Sequence, residues 1–154
     1  MFKKMRRSEK SLTENEMLEI MNKAEFGVLS TMGKNGYPYG VPVNFLYHDG
    51  SIYFHCAMEG HKLDNIEFCC KVSFCVVTDV SVMAESFTTK FKSVILFGKI
   101  SEVPCGEKHD IFVKIMEKFS GDYMEAAMPY VKKEGHNARL FRIEVEHMTA
   151  KGKK

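Results

Sequence analysis

Polar and apolar positions divide the chain into short segments with two distinct periods. Thr13-Glu14-Asn15-Glu16 reads as a capping box, in which a threonine oxygen accepts from the third helical N–H and a glutamate reaches back. Met17, Ile20, Met21 and Ala24 follow at helical spacing, so the pattern predicts a helix over Glu14–Ala24. From Phe26 the period changes to two, and Phe26–Met32 reads as a strand closed by the Gly33-Lys34-Asn35-Gly36 turn. Tyr39–Tyr47 is a second strand. Pro38 and Pro42 donate no ladder hydrogen bond, which places it at an edge or makes it bulged. His48-Asp49-Gly50 turns the chain into a third strand, Ser51–Ala57, and Gly60 breaks away to a short helix over Lys62–Phe68.

The second half repeats these themes on a larger scale. Lys71–Thr78 is a buried strand, Asp79–Thr89 is weakly patterned as strand plus loop, and Ser93–Val103 is a long strand. Gly98 inside it marks a bend or a close backbone approach. Ile111, Phe112, Ile115, Met116 and Phe119 make Glu107–Phe119 an amphipathic helix that ends at Ser120-Gly121-Asp122. A weaker helix over Tyr123–Val131 is limited by Pro129, and Ala138–Val145 is the closing strand. About six antiparallel strands with hairpin turns and peripheral helices define a mainly β, α+β architecture. It is a six-stranded antiparallel β-barrel with helical decoration rather than a βαβ sheet. The domain organisation is a flexible arm over residues 1–11, one domain over 12–149 and a basic tail over 150–154.

Composition narrows the function classes. The 154 residues suit one domain with a real core, and a net charge of +2 forces no basic face, so no nucleic-acid partner is expected. No apolar run approaches the ~20 residues of a spanning helix, and the basic N-terminus leads into no apolar stretch. A cytoplasmic protein without membrane contact is the expectation. Five cysteines, two of them adjacent and none in a C-x-x-C, form neither a disulfide framework nor a zinc site. The dinucleotide-binding glycine fingerprint, the phosphate-binding P-loop, the zinc-protease H-E-x-x-H and the serine-hydrolase elbow are all missing.

The chemistry concentrates in residues 37–63. Gly60 frees the chain to start a helix whose first N–H groups are unpaired, and His61 and Lys62 stand there. A cation at a helix N-terminus opposes the dipole unless an anion joins it, so a phosphate site and a solvated first turn both stand on spacing alone. Alternation sends Val41, Val43 and Phe45 to one face and Pro42 and Asn44 to the other, leaving backbone groups and Asn44 open to a planar heterocycle, with an ordinary edge strand as the plainer reading. His55, Cys56, His61 and Asp64 match no usual metal-ligand spacing, and no metal is expected.

The order PYGVPVNFLYHDGSIYFHCAMEGHKLDNI, followed by VSFCV and SVILFGK, resembles the flavin-binding split-barrel superfamily of pyridoxamine-phosphate oxidase, nearest its nitroimidazole-resistance branch. The likeness spans roughly residues 6–148. It implies a homodimer with FMN at the subunit interface. By position, Pro42, Val43 and Asn44 would meet the isoalloxazine edge, and His55 and Cys56 would lie near the ribityl chain and phosphate. His61 and Lys62 would bind the phosphate, His61 standing where the oxidases use arginine. Ser93 would reach the flavin of the other subunit. His55 also resembles a histidine near the flavin ring of that branch, which makes it the candidate proton donor. The oxidases grip pyridoxal phosphate with a C-terminal motif containing Trp and Arg; this chain has no Trp, so that activity is not expected. The implied reaction takes electrons from NADH or NADPH through FMN to a small acceptor such as a nitroaromatic. The alternative is a flavin- or haem-binding module without turnover, with His55 or His61 as axial ligand.

Overall fold

The computed structural model describes residues 1–153. Helix α1 (Glu14–Lys23) opens on the expected capping box: Glu16 N donates to Thr13 Oγ1 at 3.3 Å and Thr13 N donates to Glu16 Oε2 at 2.9 Å. It leads into β1 (Phe26–Met32), β2 (Pro38–Asn44), β3 (Leu46–His48) and β4 (Ser51–Cys56). Then come α2 (His61–Phe68), the long pair β5 (Lys71–Met83) and β6 (Thr88–Glu102), α3 (Cys105–Ser120), α4 (Met124–Glu134) and β7 (Arg139–Lys153). One antiparallel sheet of seven strands runs in the order β2-β1-β5-β6-β7-β4-β3.

The seventh strand arises where the pattern suggested one strand over Tyr39–Tyr47. The chain bends at Phe45; β2 pairs with β1 at one sheet edge, and β3 pairs with β4 at the other. The two edges are therefore consecutive in the chain, and the barrel is brought round by covalent continuity rather than by a closing ladder. Phe45 itself is buried, its ring edge-on to Phe74 at 5.1 Å. Pro42 sits on an edge strand, as its missing N–H requires.

Lys118 of α3 fixes that bend. Its Nζ donates to the carbonyls of Phe45 at 2.8 Å and Ala24 at 2.7 Å, and lies 4.4 Å from the Phe45 ring centroid. One ammonium thus ties together the end of α1, the strand bend and α3. Burial pushes its pKa down to about 8, against a smaller raising effect of Glu25. The folded state then binds fewer protons than the unfolded chain between pH 8 and the ordinary lysine range. Stability contributed through this group rises with pH across that window. Urea titrations of the wild type and Lys118→Met at pH 7, 8, 9 and 10 check this, since ionisations common to both cancel. Lys118→Met is expected to lose about 1–2 kcal/mol at pH 7, because two carbonyls lose a charged donor while a partly desolvated charge is also removed. The gap should widen toward pH 10; a gap independent of pH sinks the desolvation account.

Two apolar clusters lie on opposite sides of the sheet's second half. The barrel interior holds Leu29, Phe45, Ile52, Phe54, Phe74, Val94, Leu96 and Ile143, and Ile20 and Met21 of α1 pack onto it. A smaller cluster of Tyr53, Leu140, Phe112, Ile115 and Val131 seats α3 and α4 against the outside of β4 and β7. Three further differences from the sequence pattern have physical causes. Pro129 lies inside α4, which continues to Glu134, because Ala127 and Val131 are buried and a proline removes only one helical hydrogen bond. The weakly patterned Asp79–Thr89 stretch is a two-stranded ribbon whose residues are mostly exposed on both faces, which erases alternation. β7 runs on to Lys153 and pairs with β6 as far as Phe91, so residues placed in a basic tail belong to the sheet. The N-terminal arm crosses the outer sheet surface, where Phe2 stacks on Phe97 at 5.2 Å and on His147 at 4.8 Å. Among the described residues no helix is long and apolar enough to cross a membrane.

Candidate functional site

The site is built where β4 hands the chain to α2. Gly60 takes φ 146°, a conformation that L side chains rarely adopt, and its carbonyl accepts from Leu63 N and Asp64 N. No side chain caps this helix start, so the N–H groups of His61 and Lys62 point outward with the positive end of the dipole. Lys62 makes no salt bridge among the described residues, and its ammonium acts on the Cys56 thiol. Two N–H groups and an ammonium form a donor set suited to a phosphate.

His61 is less free than the sequence suggested. Its ring lies against Tyr39 with centroids 4.0 Å apart. It also borders an open cavity of about 600 Å³ beside the Gly33–Gly36 turn, shared with Asp64 and Glu67. Lys34 lines the cavity as well, so its charge is mixed and no single sign of ligand is favoured there. The helix is docked by a buried polar pair, Asn65 Nδ2 donating to Thr31 Oγ1 at 3.0 Å.

Strand alternation separates His55 from Cys56. Cys56 packs toward the barrel interior and pairs across the ladder with Arg139. Burial raises its thiol pKa, an effect that Lys62 and Arg139 oppose. Arg139 itself is held by Glu102 through two hydrogen bonds of 3.1 and 2.8 Å, so its charge is largely spoken for. His55 points the other way, toward α3, with its ring 5.8 Å from that of Phe112. Although its edge is exposed, desolvation lowers the imidazole pKa and favours the neutral ring. The two residues therefore cannot serve one face of a ligand. Among the described residues no three His, Cys, Asp or Glu side chains gather as a metal site.

Pro42 and Asn44 face outward on β2, and Val43 faces the core, as alternation requires. Asn44 Nδ2 donates to the Glu25 carbonyl at 2.9 Å, which ties down its amide and leaves the strand backbone as the group offered to a ligand. Ser93 lies on β6 opposite Val77 and Lys151. Side chains in register across a ladder share a face, so Pro42, Val28, Cys75, Ile95 and Thr149 form one outward row, with Ser93 beside it. Pro42 and Ser93 thus lie on the same outer surface, yet on separate strands. The sequence could not show this, because the sheet order depends on the long crossovers. The outer surface carries Phe26, Val28, Val77, Ile95 and Phe97 in exposed positions.

A seven-stranded antiparallel sheet bent back on itself, with an uncapped helix start following an inner strand, defines the split-barrel class. The family model for pyridoxamine 5'-phosphate oxidase matches residues 13–152, and the chain belongs to that family. Solved structures share the fold at low identity. A conserved hypothetical protein, Rv2991, from Mycobacterium tuberculosis superposes with a TM-score of 0.82 at 20% identity, covering 97% of this chain and 90% of its own. A candidate 5-nitroimidazole antibiotic resistance protein from Bacteroides thetaiotaomicron gives 0.73 at 20% identity, covering 91% and 84%. The FAD and haem binding protein from Mycobacterium smegmatis gives 0.82 at 12% identity, covering 94% and 73%. A search of curated protein sequences finds no match to the chain.

Proposed function

We propose that this protein binds FMN between two copies of the chain and passes electrons from a reduced nicotinamide nucleotide to a small acceptor such as a nitroaromatic. The observation that carries the reading is the uncapped start of α2, with Lys62 unpaired by any carboxylate among the described residues. Those donors fit a phosphate monoester. Pro42–Asn44 offers backbone groups to a planar ring, and the outer surface that includes Pro42 also presents Ser93. That surface exposes a continuous apolar row, which a second copy would cover. In a two-fold dimer, Ser93 of one copy is then brought to the β2 edge of the other.

When bound, FMN supplies the two-electron chemistry. The chain's own residues bind and orient it. Lys62 and the α2 N–H groups hold the phosphate, while the rigid β2 edge positions the ring. His55 lies on the far side of β4 from Cys56, which favours the acceptor side over the ribityl chain for this residue. A neutral imidazole there can relay a proton to the reduced acceptor.

Haem is the second reading, favoured by one observation: His55 offers an imidazole without a hydrogen bond among the described residues at the edge of an apolar groove. An absorbance spectrum of the purified protein, with sedimentation for its mass, separates the two. Flavin bands on a dimer that bleach anaerobically with NADH or NADPH and return on adding a nitroimidazole are the expected result. A Soret band moves the assignment to haem, and a colourless protein that takes up neither on titration removes both.

A further inference from the structure

The groove between α3 and α4 is a second place where ligand chemistry gathers. A small enclosed cavity of about 40 Å³ and an open one of about 460 Å³ share His55, Met116 and Tyr130 in their walls. Phe112 lines the inner cavity and Tyr123 the outer one. The two tyrosines keep most of their surface in solvent, 73% for Tyr123 and 60% for Tyr130, so their rings stand as walls of the groove instead of filling the core. Met116 between them adapts its shape to an inserted ring.

Charge narrows what enters. No lysine or arginine lines either cavity, and the one carboxylate, Glu134, accepts a hydrogen bond from Asn137 Nδ2 at 3.0 Å. The neutral form of His55 is favoured by its desolvation, and the Lys108 ammonium, 5.9 Å from the Phe112 ring centroid, lines neither cavity. Phosphates and carboxylates are therefore disfavoured there, and this groove is separate from the α2 start. What the walls do offer is aromatic faces, a thioether and one imidazole edge able to donate or accept a single hydrogen bond.

We propose that the α3–α4 groove is a binding site for an uncharged planar aromatic or heteroaromatic molecule of one or two rings, stacked on Tyr130 and hydrogen-bonded to His55. The site stands whether or not the protein carries flavin. If it does, the groove brings such a ring to the same histidine that serves the acceptor side.

The test is a titration of the purified protein with indole as the uncharged probe and benzoate as the anionic one. Binding is followed through the His55 and Tyr130 ring resonances in an NMR spectrum, because indole's own fluorescence masks tyrosine emission. Indole should shift the His55 and Tyr130 signals saturably, and benzoate should not. Tyr130→Ala should weaken indole binding roughly tenfold through lost stacking, and Tyr130→Phe should retain it. Ala126→Arg places a bulky cation at an exposed position of the groove mouth, where folding is not at stake, and should abolish indole binding. The proposal is overturned by absence of saturation with indole, by equal binding of benzoate, or by unchanged binding in Ala126→Arg.

Discussion

Gly98→Ala should cost about 3 kcal/mol of unfolding free energy, at the upper end of overpacking substitutions, and should lower the yield of folded protein. A Cβ built at Gly98 meets the Glu144 carbonyl oxygen at 2.3 Å and Ile143 Cγ2 at 2.8 Å. The first contact is backbone, which no rotamer change relieves. The position also coincides with a register shift: Phe97 faces His147 while Gly98 faces Val145, so Glu146 is the extra residue of a β-bulge. Bulges strengthen local twist, and here the twist turns β7 from β6 toward β4. A methyl group forces β6 and β7 apart where the barrel must curl, and the strain spreads to Ile143 and Leu96 in the interior. Gly106→Ala is the matched control. Nothing lies within 4 Å of its added Cβ, and it sits in the first turn of α3, so it should be neutral or stabilising by up to about 1 kcal/mol. Urea unfolding followed by circular dichroism checks both. Equal stability of the two variants would refute the close-approach argument.

The contrast between these glycines shows which parts of the fold could be read from sequence. Gly98 was legible because an isolated glycine in an otherwise regular strand has few explanations, and the structure supplies the close approach. The α1 capping box and the Asp49-Gly50 turn, with φ of 47° and 71°, were legible because their chemistry closes within four residues. The bend at Phe45 was not. The contacts that hold it, Lys118 on the Phe45 carbonyl and Phe74 against the Phe45 ring, come from distant elements, and no local pattern announces them. His55 illustrates the same limit at the site. Alternation already required His55 and Cys56 to face opposite ways. The helices that cover His55 come from a segment more than fifty residues later, and the groove they make has no signature in residues 37–63. Ser93 and Pro42 share a surface only because β5 and β1 lie between them in the sheet. The phosphate reading is local in origin; because the His61 ring lies against Tyr39, the proposal places its weight on Lys62 and two backbone N–H groups.

That weight on Lys62 sets the second large effect. Lys62→Glu should weaken FMN binding about 100-fold, since a charge-assisted contact of roughly 1.5–3 kcal/mol is lost and a repulsion replaces it. Lys62→Ala should weaken it by about tenfold. His61→Ala should cost less than either, because the imidazole already lies against the Tyr39 ring and the N–H at that position survives the substitution. Riboflavin, which shares the ring and ribityl chain and lacks the phosphate, supplies the internal reference. Its affinity should be nearly the same in wild type and both Lys62 variants. The ratio of FMN to riboflavin affinity therefore isolates the phosphate contact from any general damage to the pocket. Salt should act in the same direction, lowering FMN affinity in the wild type more than in Lys62→Ala, because a half-buried ammonium is still partly screened over a Debye length of about 8 Å at physiological ionic strength. Titration by flavin fluorescence quenching measures all of these quantities. An unchanged FMN-to-riboflavin ratio in Lys62→Glu would show that the α2 start does not hold the phosphate, even for a protein that proves to be yellow.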